Sequence, residues 1–132
     1  MIYEVDEDFR IDETLLIDDV MTELMRYLEV GELDVNVTFE RSEDASGGCI
    51  QLEDNNYIIE LPNLPFRDTE IIAFIIHEMK HLEQYALGKL EQGSVWMGVS
   101  YIDVPYWQQP WEVEAYQFEN DFLMEIKKAL SI

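Results

Sequence analysis

The two histidines of the chain both lie in the stretch HEMKH at residues 77–81, an HExxH sequence. On a helix, His77 and His81 would project from the same face about one turn apart, so their imidazoles can bind one cation. Glu78, next to the first histidine, can then reach a water molecule bound to that cation. These residue types at this spacing predict a zinc-dependent hydrolase site.

A catalytic zinc site needs a third protein ligand and an open position for water. The chain has no third histidine and position 84 is Gln, so the third ligand must be a carboxylate. The best candidates are Glu112 and Glu114, in the stretch PWEVEAYQF at residues 110–118. Their side chains would point in different directions on a helix, so only one should face the metal. Acidic residues in a first helical turn are also favoured by the helix dipole alone.

In such a site Glu78 would accept a proton from the activated water and deliver it to the leaving amine. The developing oxyanion also needs a hydrogen-bond donor, and no histidine remains to provide one. A tyrosine hydroxyl can do so, and the sequence does not choose among Tyr85, Tyr101, Tyr106 and Tyr116.

Other interpretations of the motif are a chance pair of surface histidines, a purely structural metal site, or a metal-binding pseudo-enzyme. A function of another class is that of a non-catalytic acidic protein that engages a basic partner. In that case the HExxH region would hold a structural metal or be vestigial.

The 132 residues are 48% hydrophobic, which predicts one folded domain over residues 1–132. The formal net charge of −21 argues against direct binding to nucleic acid or to an anionic membrane. Solubility or adaptation to salt explains such acidity, and attraction of a basic partner or substrate is the functional alternative. Cys49 is the single cysteine, expected to be buried or half-buried, so neither a disulfide nor a cysteine zinc site is predicted. Without an apolar leader or membrane-spanning run, a cytoplasmic location is expected.

The elements around the motif follow from hydrophobic spacing. Apolar residues at helical spacing predict a helix over residues 12–30, and the final helix should begin after Pro110. The motif helix should be capped by Asp68, stopped by Gly88 and buried on most of its surface. Residues 89–111 lack a clear period and predict a long loop, with an extended piece near 99–104. Its aromatic residues either pack on the core, which is favoured, or line a cleft.

Three strands are predicted over residues 33–39, 49–52 and 57–61, the last two joined as a hairpin. Together they are expected to form a small antiparallel sheet, which makes the fold class α+β. In zincin-type peptidases an exposed edge strand beside the HExxH helix commonly binds substrate backbone by strand addition. By that analogy the strand before the motif is a candidate for this role, with an ordinary sheet member as the alternative. Its residues are Tyr57, Ile58, Ile59, Glu60 and Leu61.

HEMKH, followed by EVEAYQFENDFLM at residues 112–124, resembles the ImmA/IrrE-type zinc metallopeptidases. Their usual pattern is HExxH and then a helix reading E-x-E-A-x-x-F-A-x-x-L-L-M-P. The resemblance implies a minimal zincin fold with one Zn²⁺ per chain. It makes Glu112 the third ligand, with Glu114 left as an outer contact. The positions in register are Glu112, Glu114, Ala115, Phe118, Leu123 and Met124.

The chain departs from that pattern at Glu119, Glu125 and Lys80, where a small residue, Pro and Gly are usual. Members of the family often cleave DNA-binding repressors of mobile elements or stress regulons. The resemblance therefore implies a peptidase of phage or mobile-element origin, acting on a protein or peptide substrate that can be a basic regulator. The sequence does not set the oligomeric state.

Overall fold

The computed structural model describes residues 1–63 and 67–132, and within these ranges the chain forms three α-helices and two β-sheets. The α+β class is confirmed. In chain order the elements are β1 (Ile2–Val5), α1 (Ile11–Leu24), β2 (Asn36–Arg41), β3 (Gly48–Gln51), β4 (Asn56–Leu61), α2 (Asp68–Ala86), β5 (Leu90–Glu91), β6 (Val95–Trp96), β7 (Val99–Ser100), a 3₁₀ turn (Tyr106–Gln108) and α3 (Pro110–Ala129).

The larger sheet has four strands in the order β1-β2-β4-β3. Strands β1 and β2 are parallel, β2 and β4 are parallel, and only β3 runs antiparallel to β4. The predicted hairpin of β3 and β4 is confirmed. The prediction that these strands form a three-stranded antiparallel sheet is wrong, because β1 joins the sheet and β4 returns into it beside β2 with the same direction.

Strand β4 is flanked by β2 on one side and β3 on the other. Its backbone groups are therefore already paired, and the predicted substrate-binding edge role for residues 57–61 is wrong. Tyr57, Ile59 and Leu61 are buried instead. The edge strand on this side is β3, which contacts α2 directly.

The hydrophobic core lies between the larger sheet and the helices, with α2 at its centre. Helix α2 contacts α1, α3, β3 and β4, as expected from its extended apolar surface. Alternate residues of β2 and β4 face this core, and registered pairs such as Val37 with Tyr57 and Phe39 with Ile59 are buried.

Helix α1 ends at Leu24, six residues before the predicted end at residue 30. The Arg26 and Tyr27 N–H groups bond to carbonyls three residues earlier, which tightens the chain into turns. Leu28 and Val30 lie after the end of the helix but are still buried. Their apolar character therefore made the predicted helix too long.

The predicted limits of α2 are nearly right. Its N-cap residue is Arg67 rather than Asp68, and Glu70 accepts a hydrogen bond from the Arg67 N–H at 3.2 Å. Gly88 has φ of +75° and follows the last turn, where its N–H bonds to the Tyr85 carbonyl. This left-handed conformation suits glycine and stops the helix as predicted. No helix among the described residues is long and apolar enough to cross a bilayer.

Residues 89–111 are more ordered than the predicted long loop. They contain the antiparallel sheet β5-β6-β7 and the 3₁₀ turn, which lead the chain to the start of α3. Trp111 is buried, and the Tyr101 ring meets it edge-on at 6.2 Å. Trp107 is 73% exposed, so only part of the aromatic set packs as predicted.

Gly47, just before β3, approaches other backbone too closely for a side chain. A Cβ there would lie 2.6 Å from the Glu60 carbonyl oxygen and 2.7 Å from the Phe74 ring. We expect Gly47→Ala to lower the free energy of unfolding by about 1–3 kcal/mol, because the chain must shift to relieve the overlap. Urea denaturation measures this. Gly31→Ala is the control, since its Cβ would meet only Met25 at 3.8 Å. An equal loss in both variants would refute the steric explanation.

Candidate metal centre

Helix α2 presents His77 and His81 on one face, one turn apart, toward the first turns of α3. Each residue is only 7% exposed, and the two ring centroids are 4.8 Å apart. His77, Glu78 and His81 offer ligand atoms that all lie within 4.8 Å of one another. The i, i+4 spacing thus places two buried imidazoles side by side, as the sequence predicted.

Glu112, in the first turn of α3, reaches both imidazoles. Its Oε1 lies 2.9 Å from Nε2 of His77 and 3.0 Å from Nε2 of His81. Pro110 begins this helix, and Trp111, the next residue, is buried. One carboxylate oxygen therefore lies where the two Nε2 atoms converge.

Glu114 lies on a different side of α3. Its Oε1 accepts a hydrogen bond from Gln84 Nε2 at 3.2 Å and lies 3.8 Å from Lys80 Nζ. Of the two glutamates in the stretch PWEVEAYQF, the structure brings Glu112 to the histidines and places Glu114 outside them.

The carboxylate and the imidazoles of this cluster shift one another's pKa values in opposite directions. Burial raises the pKa of Glu112, but the hydrogen bonds from both histidines outweigh it and lower that pKa to about 2. Burial lowers the pKa of His77, but the Glu112 and Glu119 carboxylates prevail and raise it to about 9. The pKa of His81 is raised in the same way by Glu112. Without a metal, the Glu112 carboxylate is therefore paired with imidazoles that hold their protons more tightly than usual, and a metal ion would bind by displacing those protons.

Glu78 is part of α2, and its carboxyl group lies next to the edge strand β3, where the Cys49 backbone N–H contacts it. Burial raises the pKa of its carboxyl, and the nearby histidines and the Cys49 backbone N–H oppose that shift. A carboxylate with a raised pKa is a stronger base than an ordinary glutamate, which suits a proton acceptor next to a cation site. Cys49 is half-buried, as predicted, and burial raises the pKa of its thiol, so it is not a reactive thiolate.

The four candidate tyrosines take different places. The Tyr106 hydroxyl lies 3.2 Å from Glu112 Oε1 and 3.1 Å from the Tyr116 hydroxyl. The Tyr116 ring packs on His77, with centroids 4.4 Å apart. Tyr85 is half-buried near Glu112 and Glu78, and burial raises its pKa.

Tyr101 contacts Trp111 rather than the histidines. Among the four, Tyr106 is the one whose hydroxyl donates a hydrogen bond to the atom on which both imidazoles converge. Burial and the Tyr116 hydrogen bond raise the pKa of Tyr106, which keeps it a hydrogen-bond donor.

Two polar residues that the sequence did not assign to the site also contact the imidazoles. Gln84 is fully buried, and its Oε1 lies 2.8 Å from His81 Nδ1. The Glu119 Oε1 lies 3.4 Å from His77 Nδ1. In the sequence, Gln84 stands three positions after His81. Glu119 stands where the ImmA/IrrE pattern has a small residue.

The chain also contains a partly open cavity of about 230 Å³ at the N-terminal end of α2. It is lined by Ile71, Phe74, Leu16 and the Glu13–Arg41 ion pair, and none of the histidines borders it. This cavity is therefore separate from the candidate metal centre.

No family model, curated protein or solved structure matches this chain.

Proposed function

We propose that this protein is a zinc-dependent peptidase with a minimal zincin fold, similar to the ImmA/IrrE-type metallopeptidases. The observation that carries the proposal is the contact of Glu112 Oε1 with both His77 Nε2, at 2.9 Å, and His81 Nε2, at 3.0 Å. Two imidazoles and one carboxylate are the ligand set of many catalytic zinc sites, which keep a further position open for water.

The surroundings of the three residues fit a metal. His77 and His81 turn their Nδ1 atoms away from Glu112, toward Glu119 and Gln84. This leaves both Nε2 atoms pointing at one place, as metal-binding histidines do when their second nitrogen faces an outer partner. All three residues are at most 9% exposed, so no ordinary surface ion pair explains them.

A zinc ion held by His77, His81 and Glu112 would supply a water of lowered pKa and polarise a peptide carbonyl. Glu78, beside His77, would be the residue that accepts a proton from the attacking water and passes it to the nitrogen of the leaving amine. The Tyr106 hydroxyl, next to Glu112, is placed to donate to the oxyanion that develops on the carbonyl oxygen. Each role follows from the residue's position beside the same cluster.

The substrate would be an extended protein segment, bound along the edge of β3 beside Glu78. Strand β3 is paired on one side with β4, and no described strand occupies its other side. An extended peptide can add to such an edge by backbone hydrogen bonds. The net charge of −21 favours a basic segment, such as part of a cytoplasmic DNA-binding regulator.

Metal content and its link to cleavage test the proposal. We expect protein purified without added zinc to contain about one zinc per chain, and to cleave members of a random peptide library analysed by mass spectrometry. Removing zinc with a chelator should stop cleavage, and adding zinc back should restore it. Absence of bound zinc, or cleavage that survives its removal, would refute the proposed chemistry.

A further inference from the structure

Each imidazole of the candidate metal centre uses its two nitrogens differently. The Nε2 atoms meet at Glu112, whereas the Nδ1 atoms face two residues outside the proposed ligand set. Because a neutral imidazole carries only one N–H, the partner of Nδ1 decides whether the Nε2 lone pair is free to bind a metal. The two residues that face the Nδ1 atoms therefore affect how well the imidazoles bind a metal.

Gln84 is the outer partner of His81. It is fully buried, its Oε1 accepts from His81 Nδ1 at 2.8 Å, and its Nε2 donates to the Trp111 carbonyl at 3.0 Å. The second contact fixes the orientation of the amide, so the oxygen rather than the nitrogen must face the ring. Gln84 thus links His81 on α2 to the residue that precedes Glu112 on α3.

Glu119 occupies the equivalent position beside His77. Its Oε1 is 3.4 Å from His77 Nδ1, and this nitrogen has no hydrogen-bond partner among the described residues. The Glu119 side chain is 21% exposed and reaches inward from α3, two turns after Glu112. A buried nitrogen facing a carboxylate at this distance needs only a small adjustment to form a charge-assisted hydrogen bond.

We propose that Gln84 and Glu119 are positioning residues that hold His81 and His77 with Nδ1–H outward and both Nε2 lone pairs toward the cation. This inference rests on the metal centre of the proposed function. It also assigns a role to Glu119, which stands where the ImmA/IrrE pattern has a small residue. Helix α3 then provides the third ligand and anchors the orientation of both imidazoles.

The test is zinc affinity, measured by competition with a chromophoric chelator. We expect Glu119→Ala to weaken zinc binding by about 10–100-fold, the usual effect of losing an outer partner of a metal-binding histidine. Glu119→Gln, which keeps an acceptor oxygen of the same reach, should lose less. Glu125→Ala is the matched control, because it removes the same charge from an exposed position of α3 and should keep wild-type affinity.

Gln84 is tested in the same assay with two variants. Gln84→Leu removes the acceptor for His81 Nδ1 and should weaken zinc binding by a similar factor of about 10–100. Gln84→Glu retains an acceptor and should bind zinc more tightly than Gln84→Leu. Circular dichroism and thermal unfolding of the metal-free proteins establish that each variant is folded.

Imidazole NMR separates positioning from a general loss of structure. With only two histidines in the chain, both rings can be assigned in the zinc-loaded protein. We expect both to be Nδ1–H tautomers, with faster exchange of the His77 Nδ1 proton in Glu119→Ala and of the His81 Nδ1 proton in Gln84→Leu. A structural defect alone would not divide the two effects between the two rings.

The outcomes separate this inference from the proposed function. If the wild-type protein binds zinc and folded Glu119→Ala and Gln84→Leu bind it equally well, the positioning roles are wrong and the metal site stands. If the wild-type protein binds no zinc, the proposed function itself fails. If only one variant is weakened, the inference is overturned for the other residue.

Discussion

Replacing Glu78 with glutamine should leave zinc bound and the fold intact while reducing peptide cleavage by about 10²–10⁴-fold, the range usual for loss of a general base. The amide of glutamine has the size of the carboxyl group but cannot accept a proton from water. Glu112, and not Glu78, contacts both Nε2 atoms, so loss of the Glu78 carboxylate should not empty the metal site.

Cleavage of the library peptides by Glu78→Gln and wild-type protein, each at equal zinc content, measures this effect. Glu91→Gln is the control, because it removes the same charge from an exposed residue a few positions after α2. Equal cleavage by Glu78→Gln and wild-type protein would exclude Glu78 as the general base. Loss of zinc in Glu78→Gln would instead make it a ligand.

The part of the site on α2 could be predicted because it depends on local periodicity. His77 and His81 are brought together by one helical turn, and a capped apolar segment around them was sufficient to predict that helix. Glu112 and Glu114 could not be separated by the residue pattern of their own helix. The choice depends on how α3 packs against α2, which is a tertiary contact, and only the family pattern anticipated it.

The larger sheet was predicted only in part, because some of its strand pairings do not depend on neighbouring residues in the sequence. The β3–β4 hairpin was predicted because its turn lies between two adjacent apolar runs. The parallel pairing of β2 with β4 joins strands separated by β3, and no short-range signal encodes its direction. This pairing encloses β4 and moves the free edge to β3, so the predicted location of substrate binding changed with it.

Gln84 and Glu119 were not assigned to the site from the sequence, for a different reason. Polar residues on a helix are ordinarily assigned to its exposed side, yet Gln84 is fully buried because His81 and the Trp111 carbonyl satisfy its amide. A buried polar residue is recognisable only when its partners are known. The sequence therefore predicted the candidate ligands but not the outer residues that contact them.

The second large effect is expected on zinc affinity when the proposed third ligand, Glu112, is replaced. Glu114, on the same helix, provides the matched control. We expect Glu112→Gln to lose zinc, with a decrease in affinity that exceeds the roughly 10–100-fold effect of an outer contact. Glu114→Gln, with the same charge change two positions away, should retain about one zinc per chain, because Glu114 contacts Gln84 and Lys80 instead.

Thermal unfolding reports the same difference without any substrate. A ligand that binds only the folded state at 1,000 times its Kd stabilises it by about 4 kcal/mol, so zinc should raise the unfolding temperature of wild-type protein and Glu114→Gln by on the order of 10–20 °C. Glu112→Gln should show little or no increase at the same zinc concentration. The opposite result, with zinc stabilising Glu112→Gln and not Glu114→Gln, would assign the third ligand to Glu114. That assignment would require α3 to rotate away from the contact of Glu112 with both Nε2 atoms.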